Sequence, residues 1–267
     1  MERDNRFAGL KNSAVRVAKF VQGKHMDALN PAVQAPGARP AFNQDQFERL
    51  NGGVCASLTT KWLQEKLGAV RYSVLKKRDF VRNPSRDHVN RVMRSAAHMQ
   101  LAHHASGRTN LPVMLAQNGI HADRILDVRN EKIAPTPDDL RDHPESAKAA
   151  THQAHLSIDL TFAQVCANLK RGQGVVMRMS VKDMTPRDTK AKPEHLVTDP
   201  IDAHATGLYR SRLGKVYFFD PNCGVYKVND PAEFIKAWKE AYAQRDQILT
   251  MGNVNDGFFT CTSMKND

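Results

Sequence analysis

Long apolar runs are missing from this 267-residue chain: none comes near the ~20 residues that a membrane-spanning helix needs. The opening stretch MERDNRFAGLKNSAVRVAKF is broken by charge and does not read as a secretory signal peptide. An export signal read by a receptor needs no apolar core and escapes that test. Cysteine is scarce. Cys55, Cys166, Cys223 and Cys261 are separated by 111, 57 and 38 positions, with no C-x-x-C pair. That spacing excludes a zinc knuckle, a thioredoxin motif and a disulfide scaffold, and leaves four free thiols of a reducing compartment. Aromatic residues are only 7% of the chain. The most basic stretch, Lys61 to Arg94, holds only Trp62, Tyr72 and Phe80, too few for a platform on which nucleic-acid bases stack. Nucleic acid is not expected as a partner.

Metal and dinucleotide signatures are also lacking. His98, His103 and His104 crowd one helical stretch, and His121, His152 and His155 follow, but no pair has the H-E-x-x-H arrangement. These read as surface histidines. Gly172 and Gly174 precede a predicted strand instead of opening a helix, so they do not form a dinucleotide loop. Neither a metal nor another cofactor is expected.

What is present is a globular composition with an excess of positive charge. Apolar residues make up 41% and charged residues 25%, with 39 Lys and Arg against 28 Asp and Glu, a formal net charge of +11. The excess is uneven: residues 61–94 carry ten bases and three acids, whereas 121–170 carry eight acids and six bases. A charged stretch is first of all a solvated face; as a partner it would suit an anionic membrane surface.

Punctuation along the chain divides it in two. Residues 1–44 read as a flexible N-terminal arm, with a short amphipathic stretch (Val15, Val17, Phe20, Val21) and the proline-rich linker NPAVQAPGARPAF. Residues 45–267 read as one domain, expected as a monomer. In CASLTTKWLQEKL the apolar Leu58, Trp62, Leu63 and Leu67 fall at helical spacing and Gly68 ends the run, which predicts a helix over 55–67. Further helices are expected over 86–106, from Asp159 or Thr161 to Lys170, and over 231–244 from Pro231. Strands are expected over 174–181, from His204 to Arg210, from Lys215 to Asp220, around 225–228, and over 258–264. PTPDDLRDHPES reads as an exposed acidic loop and 184–200 as a long polar loop. Helices first and an antiparallel meander afterwards give an α+β domain with segregated halves.

Three polar residues fall where a cysteine nucleophile needs them. Cys55 follows Gly52 and Gly53 at a predicted helix N-terminus, where the positive end of the macrodipole favours a thiolate and free amide groups can face an oxyanion. His204 begins one predicted strand and Asp220 ends the next, 16 positions on. Across an antiparallel hairpin such residues are neighbours, so the carboxylate can hold the imidazole. Contact between Cys55 and His204 does not follow from spacing.

NGGVCASLTTKWL, DAHATGLYR and FFDPNCGVYKV together resemble the signature blocks of the YopT/AvrPphB-type cysteine proteases, papain-like enzymes of clan CA found among type III secretion effectors. The matching residues are Cys55, Trp62, His204, Asp220, Pro221, Asn222 and Gly224, in the family order Cys, His, Asp. The resemblance spans about residues 45–230 but lies in those three blocks. It implies a papain-like α+β fold, a helical half with the cysteine at a helix N-terminus packed on an antiparallel sheet carrying His and Asp. It implies Cys55 as nucleophile, His204 as general base and then acid, Asp220 as the group that orients the imidazole, and Asn51 as the nearest side-chain oxyanion donor.

The activity it implies is thiol proteolysis of a host protein at a restricted site, after delivery into a host cell by type III secretion, in the host cytoplasm or at a membrane surface. Two rivals share or lack this chemistry. Lysine fatty acylation, deamidation or transglutamination would use the same thioester on the same fold. A non-catalytic protein binding through its basic face would leave Cys55 dispensable.

Overall fold

The sequences VYFFD and GVYKV combine aromatic and β-branched residues, which suit a pleated surface buried on both sides. In the computed structural model they form neighbouring strands of the one antiparallel sheet in a mixed assembly of helices and strands. The structure describes residue 10 and residues 13–33, 40–50, 53–68, 80–81, 85–105, 111–124, 158–183, 200–242, 247–251 and 258–263. The strands are β1 (Ala14–Ala18), β2 (Ile120–Arg124), β3 (Gly174–Asp183), β4 (Pro200–Arg210), β5 (Val216–Asp220), β6 (Gly224–Val228), β7 (Gln247–Met251) and β8 (Phe258–Ser263). The α-helices are α1 (Gln44–Arg49), α2 (Cys55–Leu67), α3 (Arg86–Ala105), α4 (Leu111–Gln117), α5 (Ile158–Asn168) and α6 (Pro231–Tyr242).

The strands run in the order β1-β6-β5-β4-β3-β8-β2. The far edge of β3 is shared: its first half pairs with β8 and its second half with β7. Each of these pairings is antiparallel. The sheet divides the core. One face carries Val175, Leu208, Phe218 and Tyr226 beneath Phe162 of α5 and Phe234 and Trp238 of α6. The opposite face carries Val176, Ala205, Phe219 and Val225 beneath Leu58, Trp62 and Leu63 of α2, with α3 behind them. The result is the expected α+β class, with the cysteine-bearing helix on one face of an antiparallel sheet.

Two features place α2 against that sheet. A methyl group added to Gly207 of β4 would lie 3.0 Å from Thr59 and 3.0 Å from the Trp62 ring, so glycine is what lets the helix approach. Thr59 then donates from Oγ1 to the Ala205 carbonyl at 3.2 Å, one residue from His204. Trp62 stacks on Phe219 with centroids 5.2 Å apart, adding a directional aromatic contact to its buried area. At its far end the helix stops at Gly68, whose φ of 68° closes the turn in the left-handed region.

The N-terminal segment differs from its reading as an arm. β1 pairs with β6 at the sheet edge, followed by 3-10 turns over Gln22–Ala28 and Pro31–Val33. Phe20, Leu29 and Phe42 are buried in the core beneath α2 and α3. The physical reason lies at Gly224. A Cβ there would meet the Ala18 carbonyl oxygen at 2.1 Å, and its φ is +111°, so the backbone of the 18–20 segment passes directly over that glycine. Smaller differences concern boundaries: α5 starts at Ile158 and ends at Asn168, and β4 begins at Pro200, four residues before His204. The acidic loop PTPDDLRDHPES, residues 184–199 and 69–79 of the basic stretch lie outside the described residues.

Candidate active site

Cys55 is the first residue of α2, and the structure of the turn before it explains its exposure to the helix dipole. The preceding residue, Val54, provides no side-chain cap, and the first turn contains no acid. The end of the helix is tied by borrowed side chains instead. Gln22 Oε1 accepts from the Val54 amide at 3.2 Å, and Gln100 Oε1 accepts from the Ser57 hydroxyl at 3.0 Å and the Ser57 amide at 3.3 Å. Gly53, with φ of 92°, turns the chain into the helix. Cys55 keeps 7% of its surface exposed.

His204 and Asp220 are brought together from neighbouring strands. The β4–β5 ladder pairs Gly207 with Phe219 and Arg210 with Val216. Continuing that register puts Asp220 opposite Thr206, with His204 on the next diagonal of the same face. The two are therefore diagonal neighbours, not opposite ones as a strand starting at His204 would imply, and an imidazole is long enough to span the diagonal. His204 Nε2 lies 2.9 Å from Asp220 Oδ1. The same Oδ1 also accepts from the Asn222 amide at 2.7 Å, in a turn that the Asp-Pro-Asn sequence builds. Both side chains are buried, His204 at 3% and Asp220 at 0% exposure.

The thiol of Cys55 hydrogen-bonds the His204 ring. Since Nε2 faces Asp220, the nitrogen left for the sulfur is Nδ1. Burial alone pushes the imidazolium of His204 down, but the Asp220 carboxylate, its hydrogen bond and the Cys55 sulfur together outweigh it. The result is pushed up to about 10. Asp220 and the Cys55 sulfur thus both favour the protonated ring. Chemically, a thiol, an imidazole and a carboxylate are joined in one line.

The other cysteines sit differently. Burial pushes the Cys166 thiol up to about 12 against the opposing charge of Arg210, which marks a core thiol. Cys223 donates its amide to the Asp220 carbonyl at 3.0 Å and serves as a turn residue. Cys261 is fully buried beneath α2 and α3. Asn51, expected as an oxyanion donor, lies outside the described residues. His98 is exposed and lies over Phe42, centroids 4.6 Å apart. Among the described residues no group of three or more His, Cys, Asp or Glu is placed to hold a metal ion, and no helix is long and apolar enough to cross a membrane.

One residue of the site escaped sequence reasoning altogether. Gln22 donates from Nε2 to Asn222 Oδ1 at 2.9 Å, while its backbone amide donates to the Pro221 carbonyl at 2.7 Å. It sits 33 positions before the cysteine in a segment read as an arm, and no local pattern marks it.

Comparison with known proteins gives a family and a structural likeness. The Peptidase_C58 family, described as Yersinia/Haemophilus virulence surface antigen, matches residues 32–266. The crystal structure of the Pseudomonas avirulence protein AvrPphB is similar at 13% identity and a TM-score of 0.42, over 80% of this chain and 94% of that one. No curated protein sequence matches the chain.

Proposed function

The chain belongs to the Peptidase_C58 family, a family of cysteine peptidases and virulence effectors, and from that premise we propose that it is a thiol endopeptidase acting through Cys55, His204 and Asp220. The observation that carries this reading is the line of contacts from the Cys55 thiol to the His204 ring and on to Asp220 at 2.9 Å.

Each residue has one task in the cycle. Asp220 holds the Nε2 proton, which fixes the ring with Nδ1 toward the sulfur. His204 takes the thiol proton, leaving an imidazolium beside a thiolate. The thiolate attacks the carbonyl carbon of a substrate amide and forms a C–S bond, and the carbonyl electron pair moves onto oxygen. The Cys55 backbone amide, at a helix N-terminus, is the donor to that oxyanion in this reading. Collapse expels the amine, which takes the proton from His204, and leaves an acyl-thioester. His204 then accepts a proton from water as the water attacks. Release of the carboxylate breaks the C–S bond and returns the proton to sulfur.

The substrate proposed is a host protein cut at a restricted site after delivery as a bacterial effector, in the host cytoplasm or at an anionic membrane surface that suits the net charge of +11. New protein N-termini, mapped by mass spectrometry in host-cell lysate after incubation with the purified chain, test this. They should vanish with Cys55→Ala, a loss of at least about a thousandfold. Termini that persist in that variant would refute the reading. Lysine acylation without scission, seen on adding acyl-CoA, would move the same thioester to a different acceptor.

A further inference from the structure

Followed beyond the triad, the hydrogen bonds of the site return to their starting point. Cys55 contacts His204, His204 contacts Asp220 Oδ1, and the Asn222 amide donates to that same oxygen. The Asn222 side chain accepts from Gln22 Nε2, and Gln22 Oε1 accepts from the amide of Val54, which is peptide-bonded to Cys55. We propose that Gln22 is a positioning residue that closes this ring, fixing the turn before the nucleophile against the turn that holds Asp220 and so setting the spacing of sulfur and imidazole.

Three features support the assignment beyond the two hydrogen bonds. Gln22 is buried, and both ends of its amide are used, one on each turn. Its own backbone is anchored to one of those turns through the Pro221 carbonyl. The fit is tight, since a Cβ on Gly53 would come within 3.0 Å of Gln22 Nε2, so the amide packs directly against the turn that leads into Cys55. Gln22 also stands upstream of residues 32–266, so the family match does not assign it. By bridging the turn at Val54 to the turn at Asn222, Gln22 gives the N-terminal segment a direct part in the site.

The inference rests on Cys55 being the nucleophile, and its test separates the two. The rate of iodoacetamide labelling at Cys55, resolved by peptide mass spectrometry, is measured at about pH 6 and about pH 10, and the ratio is taken. A ratio cancels simple changes in access, because at high pH the thiol ionises whether or not the imidazole is near. Gln22→Met keeps the side-chain volume and removes both hydrogen bonds; Asn222→Ala breaks the bridge from its other end. Each should lower the ratio about tenfold, as expected when one hydrogen bond sets a reacting geometry. The double variant should fall no further than the worse single one. Where Gln22→Met does not fold by circular dichroism, Asn222→Ala carries the test alone. Folded variants that keep the wild-type ratio, or whose effects multiply, would overturn the role of Gln22. A wild-type ratio no higher than that of His204→Ala would instead overturn the nucleophile itself.

Discussion

Both faces of the sheet pack aromatic rings, but the α2 face adds a close approach to the strands and side-chain hydrogen bonds. Beneath α5 and α6 the core is filled by volume: Phe162, Phe218, Phe234 and Trp238 meet edge to face or tilted, with centroids 5.2–5.8 Å apart. Beneath α2 the contact is set by closeness and by polar ties. Glycines at 174 and 207 let the helix sit on the strands, and buried Ser57, Thr59 and Thr60 each have a hydrogen-bond partner. Rings stabilise by buried area, whereas a hydroxyl-to-carbonyl bond adds a preferred direction and a missing methyl a closer approach. The helix on that face carries Cys55, the proposed nucleophile, whose placement would decide the chemistry.

Replacing one tryptophan on each face would break the comparison most sharply. Trp62→Ala and Trp238→Ala should each cost about 3–5 kcal/mol in denaturant unfolding, since both rings are fully buried. Only Trp62→Ala should also slow labelling of Cys55 relative to the other thiols, because it undermines α2. Equal labelling in the two variants would contradict the division of labour between the faces.

Gly207→Ala should cost less, about 1–3 kcal/mol, because the added methyl meets Thr59 and Trp62 at 3.0 Å and the helix must shift. Peptidase activity should fall more steeply than stability, as the shift moves the sulfur relative to His204. A variant that loses stability but keeps full activity would show that α2 is less tightly placed than the geometry implies.

The gentlest probe is pH. His204 is raised in the folded state to about 10 from an ordinary value near 6.5. Its contribution to stability is therefore fully present below about pH 6.5, where both states are protonated, and is lost as pH rises toward about 10. Unfolding free energy of the wild type should decline across that window relative to His204→Gln. A difference between the two that stays constant with pH would mean the ring does not carry its extra proton.

Much of this arrangement was legible in the sequence where local pattern and final structure agree. Leu58, Trp62, Leu63 and Gly68 marked α2 with its observed bounds of Cys55–Leu67, because a periodic apolar face and a left-handed stop are local signals. Strands β5 and β6 were legible for the same reason. The segment AVRVA was not, since five residues at a sheet edge, with Val15 half exposed, resemble any amphipathic stretch. The true start of β4 at Pro200 was hidden by Pro200 and Asp202, which disfavour strands in isolation yet are tolerated in this ladder. At the site, types and order pointed to Cys55, His204 and Asp220, but their meeting and the bridge through Gln22 are made by tertiary contacts that leave no trace in spacing.

The central claim is that the protonated ring of His204 faces the sulfur of Cys55, and the most direct measurement is the pH dependence of Cys55 alkylation. The account predicts that lowering the pH from about 10 to about 6 slows alkylation of Cys55 less in the wild type than in His204→Ala. Identical climbing curves for the two proteins would contradict it.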